Sequence, residues 1–219
     1  MNVFDIIGPV MIGPSSSHTA GAARIGRIAG ALLEEPVKSA RIFLHGSFAK
    51  TYKGHGTDKA LVAGIMGMKP DDERLKHSLE LAKEAGISVE FLTQDIENAH
   101  PNTALIELTG ISGKQVSLQG ASVGGGNILV EKVNHMPVEI SGQYTTLVVM
   151  HRDAPGTIAG VTNYMGSLGV NICNFRLSRE QKGGTAVMTI ELDSRVGPEV
   201  NEHIKQLPNI IGSVMLLPD

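Results

Sequence analysis

The feature that most constrains the fold is an ordered alternation of apolar segments from residue 144 to residue 219. Apolar runs with strand character predict four strands, and two segments with helical spacing lie between them. The first of these helices has Pro155 near its start and Gly169 after its end, where such residues favour helix boundaries. The predicted elements are, in chain order, the strand TTLVVMH, the helix APGTIAGVTNYMGSLG, the strands VNICNFRLSRE and GGTAVMTIELD, the helix GPEVNEHIKQLP and the strand IIGSVMLL.

The βαββαβ order is that of the split-βαβ, ferredoxin-like arrangement, so residues 144–219 are predicted to form one domain. Residues 1–140 mix helices and strands and are predicted to form a separate N-terminal α/β domain. The segment NHMPVEISGQ, with Pro137 and Gly142, is suited to the connection. The predicted fold class is therefore α/β (α+β) with two domains.

Within the N-terminal domain, the segment after GPSSSHTA has apolar residues on one helical face, with Ser17 or Thr19 as its N-cap. Pro36 stops this helix. A Gly-rich turn, TYKGHG, is expected to precede a second helix that is capped by Thr57 or Asp58. The remaining predicted elements are the helix PDDERLKHSLELAKEAG and the strands VKSARIFL, ISVEFLTQD, TALIELTG, KQVSLQG and NILVEKV.

Composition excludes several classes of function. A net charge of −3 argues against a nucleic-acid partner, which requires a basic face. No apolar run reaches the roughly 18 residues needed to cross a bilayer, so no membrane partner is expected. The N-terminus carries Asp5 inside its apolar run and lacks a basic flank, which makes it a poor signal peptide. We expect a cytoplasmic protein.

The chain has a single cysteine, Cys173. One thiol cannot form an intrachain disulfide, and it cannot supply the cysteine-rich ligation of an iron–sulfur cluster or a structural zinc ion. We therefore predict no metal site in this chain. Because Cys173 lies on a predicted strand with Ile172 and Phe175, it is expected to be a core residue.

The segment GPSSSHT has two interpretations. It is a polar helix start, or it is a pocket in which several hydroxyls and an imidazole near a helix N-terminus hold a carboxylate and an ammonium group. One cap needs one hydroxyl, and this segment offers four. The candidate binding residues are Ser15, Ser16, Ser17, His18 and Thr19.

Three further motifs combine histidine with small polar residues. In HGS, His45 ends a strand and is either a hydrogen-bonded structural residue or a general base, with Ser47 beside it. GHGTD is either a turn with a cap or a site wall made of His55, Thr57 and Asp58, and HPNT is either a turn or places His100 and Asn102 in the site. The run Gly124–Gly126 is either a hairpin turn or a close approach of backbone to a ligand or partner.

The C-terminal segments HRDAPGTIAGV and GVNICNF resemble those of an ACT domain, a small regulatory module that typically binds amino acids where two copies meet. The resemblance implies a homodimer through this domain and a possible amino-acid effector. Any such effector is expected near Asp153, Gly156 and Asn171.

The N-terminal motifs GPSSSHTAGAARIG, LHGSFAKTYKGHGTDKALVAGIMG, HPNTALIEL and SVGGGNI, in this order, resemble the beta part of iron–sulfur-dependent L-serine dehydratases. The same half also resembles the allosteric-substrate-binding domain of some phosphoglycerate dehydrogenases. The first resemblance implies conversion of L-serine to pyruvate and ammonia by elimination of water at a [4Fe–4S] cluster, without pyridoxal phosphate.

With one cysteine, this chain would rely on a separate alpha chain for the cluster and would complete the active site with its own side chains. The resemblance makes His45 the first choice of base and His18 its competitor, with the other polar residues of the four motifs binding the substrate. A regulatory amino-acid-binding module and a structural dimerisation piece are the alternative functions.

Overall fold

The computed structural model describes residues 10–13 and 15–218. The chain divides into two compact units, residues 1–135 and 136–219, and both combine helices with strands, which confirms the predicted fold class. Among the described residues, no helix is both long enough and apolar enough to cross a membrane. The prediction about a signal peptide concerns residues 1–9, which lie outside the described part.

The first unit contains a mixed sheet and its helices, and it confirms every strand predicted for this region. Its helices are the π-helix Ser16–Gly21, α1 (Ala22–Leu33), α2 (Gly46–His55), α3 (Thr57–Ile65), the 3₁₀ helix Glu73–His77 and α4 (Ser78–Glu84). Its strands are β1 (Val37–Leu44), β2 (Ser88–Thr93), β3 (Thr103–Gly110), β4 (Gln115–Gly124) and β5 (Asn127–Val133). The strand order in this unit is β2-β1-β3-β4-β5, with β1 parallel to β2 and antiparallel to β3.

Helices α1 and α3 pack against each other through glycines. A Cβ atom at Gly26 would overlap the backbone of Leu61, and one at Gly64 would overlap the backbone of Ala23. The absence of side chains at these two positions lets the two helix backbones approach closely. This packing places α3 beside α1, the helix that directly follows the π-helix.

The first helix is capped by a different residue from those predicted. Ser15 has extended backbone angles, and its hydroxyl accepts a hydrogen bond from the His18 N–H at 3.3 Å. The chain is already helical at Ser16, so Ser17 and Thr19 lie inside the helix and neither can be the cap. The prediction of Ser17 or Thr19 was wrong because the pattern of apolar residues does not reveal the added π-helical turn.

The Gly-rich turn predicted before the second helix is largely helical. Helix α2 continues to His55, and only Gly56 has the left-handed backbone of a turn, with φ of 70°. Thr57 and Asp58 are the first two residues of α3, whose N-cap is Gly56, so neither side chain caps the helix as predicted. A single glycine, Gly54, is tolerated in the last turn of a helix at a modest cost.

The helix predicted for PDDERLKHSLELAKEAG is divided into the 3₁₀ helix and α4. Asp72 caps the 3₁₀ helix by accepting a hydrogen bond from the Arg74 N–H at 2.9 Å. Gly86 follows the end of α4 with a φ of 75°, as its sequence position predicts.

The second unit confirms the predicted βαββαβ order. Its elements are β6 (Met136–Ile140), β7 (Thr145–Arg152), α5 (Thr157–Ser167), β8 (Ile172–Arg179), β9 (Thr185–Leu192), α6 (Pro198–Lys205) and β10 (Ile210–Leu216). Strands β7 to β10 form a sheet in the order β10-β7-β9-β8. Its core consists of apolar residues from β7, β9 and both helices, among them Leu147, Val161, Met165, Ile190 and Ile204. Strand β6 lies within the segment predicted as a connection.

Cys173 is exposed, so its prediction as a core residue was wrong. It lies on β8, which is at the edge of the sheet and, among the described strands, pairs only with β9. Most residues of β8 are exposed, including Phe175 and Leu177. Apolar neighbours in sequence therefore did not indicate burial at this edge.

Candidate active site

The loop that contains HPNT is fixed to the start of α2, where HGS lies. The N–H groups of Ser47 and Phe48 donate to the Pro101 carbonyl at 2.7 and 3.3 Å. The His45 N–H donates to the Thr103 carbonyl at 3.0 Å. These bonds hold two of the predicted motifs together, although more than fifty residues separate them in the sequence.

Gly46 makes this contact possible. Its backbone is left-handed, with φ of 55°, and a Cβ atom at this position would lie 2.6 Å from the Pro101 carbonyl oxygen. Only glycine combines this φ with so close an approach of another backbone segment. Gly46 therefore sets the position of Ser47 at the start of α2.

His18 is the centre of a cluster drawn from GPSSSHT, HGS with the Phe48 that follows it, and GHGTD. We call it the His18 cluster: Ser15, His18, Ser47, Phe48 and His55. The Nδ1 atom of His18 lies 3.3 Å from the Ser15 hydroxyl, and its Nε2 atom lies 3.3 Å from the Ser47 hydroxyl. The rings of His55 and Phe48 approach the ring of His18 edge-on, with centroid distances of 4.8 and 5.3 Å. The hydrogen bonds are long, as those of ligand-free catalytic sites often are.

The environment of His18 favours its neutral form. Burial lowers its pKa from the ordinary value of 6.5, and the nearby His55 lowers it further because two positive imidazolium rings repel each other. A neutral imidazole has one nitrogen that accepts a proton and one that donates. Hydroxyls at both nitrogens donate or accept equally well, so either tautomer of His18 is accommodated.

Three buried hydroxyls come from the elements around the π-helix: Thr19 in the helix itself, Thr57 in α3 and Ser122 in β4. Each side chain is fully buried, and none of the three oxygens has a hydrogen-bond partner within the described residues. Ser122 packs so closely against Gly21 that a Cβ atom there would overlap its hydroxyl. Unpaired buried hydroxyls are costly, and they concentrate at functional sites.

Asn102 connects Ser122 to the HPNT loop. The Ser122 N–H donates to the Asn102 carbonyl at 3.0 Å, and the Asn102 side-chain amide donates to the Ser122 carbonyl at 3.5 Å. His100 uses its Nδ1 atom to accept from the Asn102 N–H at 3.1 Å. Both residues therefore shape the loop beside the His18 cluster.

His45 has a different set of contacts from His18. Its Nδ1 atom accepts a hydrogen bond from the Ile96 N–H at 3.1 Å, and the carboxylate of Asp95 lies 3.2 Å from the same atom. A nitrogen that accepts from a backbone N–H carries no proton, whereas an ion pair with Asp95 would require one. The Asp95 side chain is 98% exposed, so this ion pair is weak and the backbone hydrogen bond decides the tautomer.

The remaining predicted residues lie in two places. Ser16 and Ser17 are half-buried within the π-helix that carries His18. Asp58 is buried and accepts from the Lys59 N–H at 2.9 Å, and it lines a separate cavity with Tyr52 and Phe91. In the site-wall interpretation of GHGTD, Asp58 would face the same cleft as His55, whereas the cavity that Asp58 lines does not include His55.

The run Gly124–Gly126 forms the turn between β4 and β5, and all three residues have positive φ. Arg24 donates from Nη1 to the Gly126 carbonyl at 2.9 Å, which fixes the turn to α1. The run is therefore a hairpin turn, and a close approach of its backbone to a ligand or partner stays a prediction. Ser122, in the same motif, was not predicted as a site residue, although it is the polar side chain that precedes the glycines.

In the second unit, the predicted effector residues do not come together. The Asp153 carboxylate accepts hydrogen bonds from the Gly183 N–H at 3.0 Å and from Arg179 at 2.7 Å, and these bonds lower its pKa. Gly156 precedes α5 in the same loop, with φ of 87°. Asn171 instead donates to Asp193, at the other end of β8. A strand rises about 3.3 Å per residue, so roughly 25 Å separate the two ends of β8.

No group of three or more histidine, cysteine or acidic side chains in the described part of the chain is arranged to hold a metal ion. The single thiol, Cys173, has a raised pKa, first because of partial burial and then because of the nearby Asp193 and Glu191 carboxylates. A raised pKa disfavours the thiolate form that binds metals.

Comparison with known proteins gives consistent matches. The sequence model of a family described as "Serine dehydratase beta chain" matches residues 2–133. A "Probable L-serine dehydratase, beta chain" of Bacillus subtilis (strain 168) is 44% identical over 210 residues, 96% of this chain and 95% of that protein. An "L-serine dehydratase, beta chain" of Peptoniphilus asaccharolyticus is 38% identical over 88% of this chain and 87% of that protein. A "D-3-phosphoglycerate dehydrogenase" of B. subtilis is 26% identical over 90% of this chain but only 37% of that protein.

Proposed function

Because the chain belongs to the serine dehydratase beta chain family, we propose that it is one subunit of a two-chain L-serine dehydratase. The complete enzyme removes water from L-serine, and the resulting aminoacrylate rearranges and hydrolyses to pyruvate and ammonia. The name "beta chain" of two relatives supports the existence of a companion chain.

The observation that carries the proposal is the His18 cluster. Proton abstraction from the α-carbon of serine requires a neutral base at physiological pH, and the lowered pKa of His18 meets this requirement. Ser15 and Ser47 hold the ring in place through both nitrogens, and exposed His55 lies against it. We propose that proton transfer takes place at this pair of imidazoles rather than at His45.

The substrate carboxylate and ammonium are proposed to bind at the polar residues that surround the cluster. The hydroxyls of Ser16 and Ser17 and the amide of Asn102 are candidates for these contacts. All three residues are half-buried; Ser16 and Ser17 lie in the π-helix, and Asn102 is hydrogen-bonded to Ser122, which packs against Gly21 of that helix. Thr19 and Ser122 have buried hydroxyls without partners within the described residues. These two hydroxyls would become paired if binding rearranges the π-helical turn.

The residues of this chain do not fit a [4Fe–4S] cluster. Such a cluster is bound mainly by cysteine thiolates, and this chain has one thiol with a raised pKa on an edge strand. We therefore propose that the cluster belongs to the companion alpha chain, where it would supply a Lewis acid for the departing hydroxyl. No pyridoxal phosphate is included in the proposal.

The test is anaerobic reconstitution of this chain with its alpha chain, iron and sulfide, with pyruvate formation as the readout. His18→Ala and His55→Ala are expected to lower the rate by about 100-fold or more, because general-base contributions have this size. His45→Ala should retain most activity. His77→Ala is the matched control, since His77 is an exposed histidine on the 3₁₀ helix.

Size-exclusion chromatography of each mixture separates loss of chemistry from loss of assembly. Loss of activity in His45→Ala with normal activity in His18→Ala would show that His45 is the base. Full activity of the alpha chain alone would refute a catalytic role for this chain.

A regulatory amino-acid site in the second unit is a second candidate. It is supported by the similarity to D-3-phosphoglycerate dehydrogenase and by two buried polar atoms near the β7–α5 loop, His151 Nε2 and Thr157 Oγ1. Neither atom has a partner in the described part of the chain. Calorimetry of the full chain with L-serine, compared between the native protein and Thr157→Val, tests this site.

Exposed Phe175 and Leu177 on edge strand β8 support a homodimer, which analytical ultracentrifugation would detect.

A further inference from the structure

A cavity of about 490 Å³ lies between α2, α3, α4 and β2, and it shares none of its lining residues with the His18 cluster. We call it the α4 cavity. Its volume is within the range of small-molecule sites. We propose that the α4 cavity binds a free amino acid with an aliphatic side chain.

The charged residues of the cavity match both ends of an amino acid. Lys53 and Lys83 are exposed at its rim, and neither has a carboxylate partner among the described residues. Asp58 is only 8% exposed, its carboxylate accepts a hydrogen bond from the adjacent Lys59 N–H, and it forms no ion pair with any of the described residues. A buried carboxylate is stabilised by a positive group, so an ammonium is the complement of Asp58 and a carboxylate is the complement of the two lysines.

The wall of the cavity is apolar. Ile87 precedes β2, and Val89 and Phe91 follow it at alternate positions, so the three side chains share one face of the strand. All three are half-buried, and the ring of Tyr52 stacks on Phe91 with a centroid distance of 5.8 Å. An aliphatic side chain would cover this surface, whereas the hydroxymethyl group of serine would leave most of it in contact with water.

The ligand is therefore an amphipathic zwitterion such as leucine or isoleucine. This inference does not rest on the dehydratase activity, because no residue of the His18 cluster takes part. It also differs from the candidate regulatory site in the second unit.

Isothermal titration calorimetry of the full chain with L-isoleucine tests the proposal. Binding of L-isoleucine is expected at concentrations up to about 10 mM. L-Serine should bind much more weakly, and so should 3-methylpentanoate, which lacks the ammonium group. Lys83→Gln and Asp58→Asn should each weaken L-isoleucine binding by about 10- to 100-fold, the size expected for a lost hydrogen bond to a charged group. Since Lys83 is exposed, its variant remains informative if Asp58→Asn impairs folding.

His18→Ala is the control and should leave L-isoleucine binding unchanged. Absence of binding to the native chain would overturn the proposal, and so would unchanged affinity in Lys83→Gln. Loss of binding in His18→Ala would place the amino acid in the His18 cluster and would also refute the α4 cavity as its site.

Discussion

Replacement of Gly46 by alanine tests how the candidate active site is held together. Alanine at φ of 55° costs about 1–2 kcal/mol because left-handed backbone brings Cβ close to the following carbonyl. The new Cβ would also lie 2.6 Å from the Pro101 carbonyl oxygen and 2.8 Å from its Cα atom. Pro101 cannot move away freely, because its carbonyl accepts the N–H groups of Ser47 and Phe48. Overpacking of this kind costs about 1–3 kcal/mol, so the total is about 2–5 kcal/mol.

Gly56 provides a matched control. It also has a left-handed backbone, with φ of 70°, but a Cβ atom there would meet no atom of the described residues within 4 Å. Gly56→Ala should therefore show the conformational cost of about 1–2 kcal/mol alone. The free energy of unfolding, measured by urea denaturation, should be lower in Gly46→Ala than in Gly56→Ala by about 1–3 kcal/mol.

The same substitution should affect activity, because Ser47 is the residue after Gly46 and contacts Nε2 of His18. In the reconstituted enzyme, Gly46→Ala is expected to reduce kcat by far more than Gly56→Ala does. Equal stability and equal activity of the two variants would show that the contact between Gly46 and Pro101 does not position the site.

Four further predictions concern other contacts. The substitution His55→Ala removes a neighbour that lowers the pKa of His18, and it also exposes the His18 ring. The pKa of His18 should therefore rise, and the acid limb of the kcat/KM profile should move to higher pH. An unchanged pH profile would exclude His18 as the titrating base. Because the pKa of His18 is lowered in the folded chain, protonation of His18 favours the unfolded state. The free energy of unfolding of the native chain relative to His18→Gln should therefore be highest above pH 6.5 and should fall as the pH drops below 6.5. Ser15→Ala should destabilise the chain by about 1 kcal/mol through loss of the N-cap, and Ser16→Ala by less than about 0.5 kcal/mol, with thermal denaturation as the measurement. Glu191→Ala should cost about 1–3 kcal/mol by leaving the Ser141 N–H and hydroxyl without their buried acceptor, and Glu191→Gln, which keeps one acceptor oxygen, should cost less in the same assay.

Strand positions and the order of elements in the second unit could be predicted from the sequence, because alternation of apolar residues directly reflects burial on one face of a sheet. The helical state of Thr51–His55 could not, since Gly54 and Gly56 suggest a turn equally well and only tertiary contacts decide between them. The exposure of Cys173 also escaped prediction, because strand order in a sheet is not visible in local sequence. The sequence therefore indicated which residues are apolar but not which strand lies at the edge.

The motifs of the site were predictable as a set, and their pairing was not. Four motifs rich in histidine and hydroxyls pointed to one site, and the structure brings His18, Ser47 and His55 into contact. The distinction between His18 and His45 depends on contacts across 29 and 51 residues of sequence, respectively. No local pattern carries that information.

His18 and His45 differ in the groups that form hydrogen bonds with their ring nitrogens. The Ile96 N–H points at Nδ1 of His45, so the neutral ring keeps its proton on Nε2, and protonation of Nδ1 would break this bond. The lone pair of His45 is therefore engaged by a backbone N–H, which cannot rotate away as a hydroxyl can. The partners of His18 are hydroxyls, and a hydroxyl rotates from donor to acceptor when the ring gains or loses a proton. A ring with such partners can change charge without losing a hydrogen bond, and this difference in contacts is the structural reason why our proposal assigns proton transfer to His18.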